Sequence, residues 1–229
     1  MIQKILALVL CTSLSAGAFG KGKKKTHINL PKVTDTLTNQ ISVHEDLNFY
    51  GEYPTALSST TVDFGFLNNW DVAVGVYNVP IDSHIDNYDV SVLFNLERTF
   101  QISPTVSIVA GSSVGSDIVS ASESSGIDIY SYIASVTKIW NIDLSAGGYY
   151  TNAWFGGYSA LGFNVAVAVP INSQWSFQYE FSSGSNNLSG STYQLFYKIN
   201  KDTHLGFGIQ PQYSNREQVI SGIVSLYYH

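Results

Sequence analysis

Apolar and polar residues alternate one for one through most of the chain beyond residue 40. Trp175, Phe177, Tyr179 and Phe181 interleave with Gln174, Ser176, Gln178, Glu180 and Ser182. Leu205, Phe207 and Ile209 alternate with His204, Gly206, Gly208 and Gln210. Tyr88, Val90, Val92, Phe94 and Leu96 alternate with Asp89, Ser91, Leu93, Asn95 and Glu97. Side chains of a strand point to opposite faces in turn, so each stretch carries one apolar face and one polar face. No stretch past residue 44 holds a 3.6-residue period. Leu30, Val33, Leu37 and Ile41 fit one short helix ahead of the strands.

Turn signals bound twelve predicted strands, near 44–53, 60–67, 70–78, 86–98, 104–117, 126–137, 141–152, 157–169, 173–183, 190–199, 203–213 and 218–228. Ten is the other even count the pattern admits, and the stretch 44–53 is the weakest of the twelve. Short connections fall at Leu67-Asn68-Asn69, Lys138-Ile139-Trp140, Pro170-Ile171-Asn172 and Asn200-Lys201-Asp202. Longer, Ser/Gly/Asn-rich ones fall at 79–85, 118–125 and 184–189, while 153–156 and 214–217 are brief. Counting back from the last strand, every short turn lies at one rim. Strands of roughly 9–11 tilted residues are the length that crosses a bilayer.

The aromatic residues sort by rim as well. Trp70, Trp140, Trp175 and Phe100 lie in or beside the short turns. Trp154, Tyr77, Tyr88, Tyr149, Tyr150, Tyr158 and Tyr213 lie toward the other rim. Two such girdles are expected where amphipathic rings meet the headgroup region. Aromatics flanking the strands of a soluble β protein are the alternative. A soluble sandwich, however, buries its apolar faces together and shows charge outside. Here the polar faces hold Ser, Gly, Thr and Gln, with few Lys or Glu.

Composition agrees with that division. Charged residues make up 12% of the 229, about half the roughly 25% typical of soluble domains. Aromatics reach 14% and the mean hydropathy is only +0.06. A disordered chain would be charge-rich and aromatic-poor, and a helix bundle would need Ala, Glu, Lys and Leu in bulk. The amino terminus is read as a secretory signal peptide over residues 1–20. Lys4 precedes an apolar run from Ile5 to Leu10, and small residues follow at Ala16, Gly17, Ala18 and Gly20. The only cysteine, Cys11, falls inside it, so the mature chain has no thiol for a disulfide, metal site or nucleophile. Gly17, Gly22 and Lys23 mimic a phosphate loop, but Lys24 stands where Ser or Thr should coordinate magnesium.

Residues 21–43 form a basic tail with Lys21, Lys23, Lys24, Lys25 and Lys32. From Ile41 onward five basic residues face sixteen acidic ones, a net of −11 that disfavours nucleic acid as a partner. The five histidines, His27, His44, His84, His204 and His229, show no pairing at metal-ligand spacing, and none has a Ser two residues on. His44-Glu45-Asp46 and His84-Ile85-Asp86 bring acids near an imidazole without a nucleophile. Neither an enzyme nor a cofactor is expected.

The last predicted strand alternates Ile220, Gly222, Val224, Leu226 and Tyr228 toward an aromatic end. With the strand lengths, rim asymmetry and girdles, it resembles the bacterial outer-membrane β-barrel class, porin-like, over residues 44–229. His229 after the aromatic and Gly222 in an apolar slot depart from the terminal pattern. The resemblance implies an all-β fold, a single antiparallel transmembrane barrel. It also implies outer-membrane lipid and lipopolysaccharide as surroundings, and barrel-assembly machinery as a partner during biogenesis. With the apolar faces toward lipid, the interior would be lined by Asp63, Asp71, Asp89, Glu97, Asp143, Glu180, Lys198 and His204, among small residues that favour a narrow water-filled path. Six carboxylates against one Lys and one His would attract cations. The leading expectation is passive diffusion of small solutes or cations. A closed barrel acting through its loops at 117–126 and 183–191 is the alternative, and a secreted soluble β-sandwich the second.

Overall fold

A computed structural model describes residues 41–50, 55–66, 69–81, 90–119, 126–152, 160–184, 189–214 and 217–228. The predicted signal peptide, the helix ahead of Ile41 and nearly all of the basic tail lie outside them. The strands are β1 (Ile41–Tyr50), β2 (Thr55–Phe66), β3 (Trp70–Pro80), β4 (Val90–Ser103), β5 (Val106–Val119) and β6 (Ile127–Ile139). They continue as β7 (Ile142–Thr151), β8 (Leu161–Pro170), β9 (Trp175–Ser182), β10 (Gly190–Lys198), β11 (Thr203–Ser214) and β12 (Glu217–Tyr228). Each pairs antiparallel with its sequence neighbours, and β1 pairs with β12 to close the barrel. The count is twelve rather than ten, and one closed sheet replaces the two stacked sheets of a sandwich. Closure leaves no unpaired edge, the condition for a sheet to stand in lipid.

The rim with the short turns is built from residues that tolerate left-handed backbone or cap it. Asn69 (φ 74°) closes β2 onto β3, and Trp140 (φ 56°) closes β6 onto β7. Asn172 Oδ1 accepts from the amides of Gln174 (2.8 Å) and Trp175 (2.9 Å), and Asn200 Oδ1 accepts from Asp202 (2.8 Å). Asn is favoured at such positions because its short side chain mimics the backbone. Ile41 and Tyr228 end at this same rim.

Strand tilt can be followed through the register. A row of paired residues leaves Ile41 at the turn rim and runs through Phe64, Val72, Leu96, Ser112, Ser131 and Tyr150. It reaches Leu161 at the loop rim on β8. Such climbing is the stagger a closed, tilted barrel demands. Burial follows the same parity. Phe94, Ile133, Phe163, Phe207 and Leu226 point outward and are exposed, while Ser42, His44, Asp46, Asn48, Gln194 and Ser225 point inward and are buried. The apolar face is outside and the polar face is inside.

Candidate functional site: the acidic lumen

The inward face divides into two walls. On β3–β7 an aromatic and aliphatic cluster joins Tyr77, Leu93, Val109, Tyr130, Tyr132, Val136 and Tyr149. The Tyr130 ring lies 5.2 Å from that of Tyr132 and 5.7 Å from that of Tyr149. Glycines make room for these rings. Tyr132 lies over Gly111, and a Cβ on Gly206 would come within 2.5 Å of the Phe196 ring. These rings take up part of the space beside the small lumenal residues. At Gly75, Gly111, Gly162 and Gly206 an aromatic ring occupies the space that the missing Cβ releases.

The opposite wall, on β9–β12 and β1, is polar. His44 Nε2 lies 3.0 Å from Asp46 Oδ1, and the His44 ring stacks on Tyr227 at 3.7 Å. Phe196 meets Tyr227 edge-on at 5.2 Å. Ser225 Oγ donates to Asp46, and Gln194 Nε2 donates to Ser225 Oγ at 2.8 Å. Carboxylates of both walls lie near these tyrosines. Tyr227 lies within electrostatic range of Asp46, Asp63 and Glu180, and Tyr130 within range of Glu97 and Glu180.

Of the residues expected to line the lumen, seven are described, and all seven stand on inward parity. Asp63 accepts from Ser42 Oγ at 3.4 Å. Asp71 on β3 is the register partner of Glu97 on β4, and Glu97 accepts from the Tyr132 hydroxyl at 2.5 Å. Asp143 sits beside Lys138, 3.8 Å away and also its register partner. Glu180 accepts from Gln178 Nε2. Lys198 and His204, partners across β10 and β11, line a pocket of about 290 Å³ at the turn rim with Gln178, Phe196 and Tyr227. Asp89 lies outside the described residues.

Sequence reasoning missed part of the lining. Asp46, Asp117 and Asp128 also face inward, Asp117 accepting from Ser91 Oγ at 2.6 Å. Asp46 was legible in principle, since His44, Asp46 and Asn48 alternate with Leu47 and Phe49. Glu45 hid it by putting a carboxylate on the apolar side of the same strand. Tyr130 and Tyr132 gave no facing from sequence, because Ile127, Ile129 and Ile133 make the other parity apolar too.

Among the expected interface aromatics, Trp70 and Phe100 face outward at the turn rim, with the Arg98 guanidinium 5.1 Å and 4.7 Å from their rings. Trp140 is exposed in its turn, and Trp175 packs on Tyr197 at 4.8 Å. Tyr150 is exposed near the loop rim. Tyr77 is a correction. It shares parity with Asp71, Ala73 and Gly75, its ring folds over Gly75, and its hydroxyl lies 3.3 Å from Thr61 Oγ1 inside the lumen. Tyr88, Trp154 and Tyr158 lie outside the described residues, as does the side chain of Tyr213.

An apolar exterior, a closed sheet and a polar interior define a twelve-stranded barrel of the outer-membrane type. Neither a protein-family model nor a curated protein matches the chain. Solved structures resemble it in fold. The KdgM porin aligns over 82% of this chain and 98% of its own, with a TM-score of 0.61 and 11% identity. The NanC porin aligns over 82% and 99%, at 0.60 and 13%. The outer membrane phospholipase A from Escherichia coli aligns over 85% and 99%, at 0.57 and 10%. At these identities the likeness establishes the fold, that of a porin-like β-barrel.

Proposed function

We propose that the protein is a narrow porin-like channel of the outer membrane, passing small solutes with a preference for cations. Export by the signal peptide at 1–20 and folding by the barrel-assembly machinery would place residues 44–229 among lipid and lipopolysaccharide, with the tail at 21–43 on the periplasmic side. The observation that carries the reading is the run of inward carboxylates. It begins with Asp63, Asp71 and Glu97, passes Asp46 and Glu180 at mid-depth, and ends with Asp117 and Asp128 toward the loops. Lys198 is the one inward lysine among the described residues without an acid beside it. Low-dielectric walls focus such a field and concentrate counter-ions.

The same reading takes the barrel as a channel and not an enzyme. Both described imidazoles, His44 and His204, stand on the inward face, and Asp46 lies between His44 and Ser225 rather than behind the imidazole as an orienting acid would. Reversal potentials in planar bilayers under a salt gradient test the proposal, with a cation preference expected. A second reading, a closed barrel acting through its loops, draws on the mutual burial of side chains from facing walls. A protein that inserts and never conducts would decide for it.

A further inference from the structure

The described barrel starts at Ile41, and the chain ahead of it carries the opposite charge. Residues 21–40 hold Lys21, Lys23, Lys24, Lys25 and Lys32 against a single acid, Asp35. They join β1 at the turn rim, next to Ser42, whose Oγ donates to Asp63 at 3.4 Å inside the lumen. Asp63 and Asp71 both act electrostatically on Glu97. The basic segment therefore meets the barrel beside three carboxylates of β2, β3 and β4.

Two of the three have no base beside them. Asp71 and Glu97 are register partners across β3 and β4, and like charges directly opposite each other destabilise a sheet. Glu97 accepts from the Tyr132 hydroxyl, which carries no charge, and Asp71 Oδ1 is buried with no hydrogen-bond partner. Among the described residues of β2–β4 the one basic side chain, Arg98, lies against the Trp70 and Phe100 rings on the outer face. A water molecule donating to Asp71 brings no charge; a lysine ammonium brings a donor and a charge together. We propose that residues 21–40 dock back across the turn-rim mouth, with lysines on Asp71 and Glu97, and close the channel in dilute salt. The closing rests on the channel reading; the docking does not.

Reach permits it. Lys32 stands nine residues ahead of Ile41. An extended chain covers about 3.3 Å per residue, roughly 30 Å over that length. Twelve strands about 4.8 Å apart and tilted by about 40° make a cylinder roughly 24 Å across. Lys32 thus reaches any point of the mouth, and Asp71 lies only two strands from β1. A tether of this length also holds the lysines near the carboxylates at about millimolar effective concentration.

The test is single-channel recording of the full mature chain in planar bilayers, against a variant with Lys21, Lys23, Lys24, Lys25 and Lys32 all replaced by Gln. The replacement keeps the length of the tail and removes its charge. At about 0.1 M potassium chloride the ratio of open to closed time should rise roughly tenfold in the variant, as loss of two or three partly exposed ion pairs implies. At about 1 M, where the Debye length is about 3 Å, the two proteins should agree. Equal ratios in dilute salt overturn the gate. A wild-type ratio that stays flat between the two salts overturns it even where the variant fails to fold. Wild-type closure that tracks the anionic lipid content of the bilayer puts the lysines on the membrane and overturns the docking. Crosslinking reads the docking without conduction, because the mature chain has no cysteine of its own. Lys32→Cys with Asp71→Cys should form a disulfide under mild oxidation faster than Lys32→Cys with Val72→Cys, the next residue of β3, which faces outward. Equal rates overturn the docking. A barrel that crosslinks at Asp71 and never conducts loses the channel and keeps the docked tail.

Discussion

Glu45 is the residue that departs furthest from the barrel's division of faces. It stands outward on β1 between Val43 and Leu47, and its carboxylate accepts from Ser58 Oγ and Thr60 Oγ1 of β2. Those two hydroxyls are themselves polar residues on the apolar parity, and they give the carboxylate the donors that lipid withholds. Charge on the lipid face is costly, less for Glu than for Lys or Arg. Glu45→Gln keeps an acceptor for one hydroxyl and removes the charge, so it should raise unfolding free energy in vesicles by about 1 kcal/mol. A lower value would mean that the charge itself stabilises this wall. Inside the lumen the sign reverses. Tyr132→Phe deprives Glu97 of its donor in a buried place, and denaturant titration should show a loss of about 1–3 kcal/mol.

At the level of strands, the lumen is shaped by pairing large rings with missing Cβ atoms on neighbouring positions. Phe196 over Gly206 is the clearest case, because the ring also meets Tyr227 and borders the turn-rim pocket. Phe196→Ala should widen the path beside Tyr227 and raise single-channel conductance. It should also lower stability by roughly 3 kcal/mol through lost burial of the ring. Unchanged conductance would place the limiting constriction elsewhere. The same pairing explains what was legible beforehand. Strict period-two alternation located all twelve strands, because each has two unlike surroundings and a one-residue slip would put Ser and Asp into lipid. Ring positions were not legible. The glycine that a ring such as Tyr132 lies over, Gly111 of the neighbouring strand, is fixed by the pairing register and not by the local pattern. Tyr77 shows the converse error: nearness to a rim suggested a girdle, while parity put the ring in the lumen.

The whole barrel separates its charges by depth and by side. Near the turn rim Asp63 and Asp71 of β2 and β3 are separated by β1 and β12 from Lys198 and His204 of β10 and β11. These groups are partly exposed to the vestibule, whereas Asp46 and Glu180 at mid-depth are buried. Salt distinguishes the two sets. The Debye length is about 10 Å at 0.1 M and about 3 Å at 1 M, and buried charges are screened far less than exposed ones. The vestibule should therefore govern selectivity in dilute salt and surrender it to the buried groups in concentrated salt. Asp63→Asn combined with Asp71→Asn should move the reversal potential at least halfway to zero near 0.1 M potassium chloride, with Lys198 then dominating the mouth. Near 1 M the same double variant should match the wild type within error. An equal effect at both concentrations would place Asp63 and Asp71 among the groups that salt screens least. No effect at either would leave Asp46 and Glu180 as the groups through which the barrel distinguishes ions.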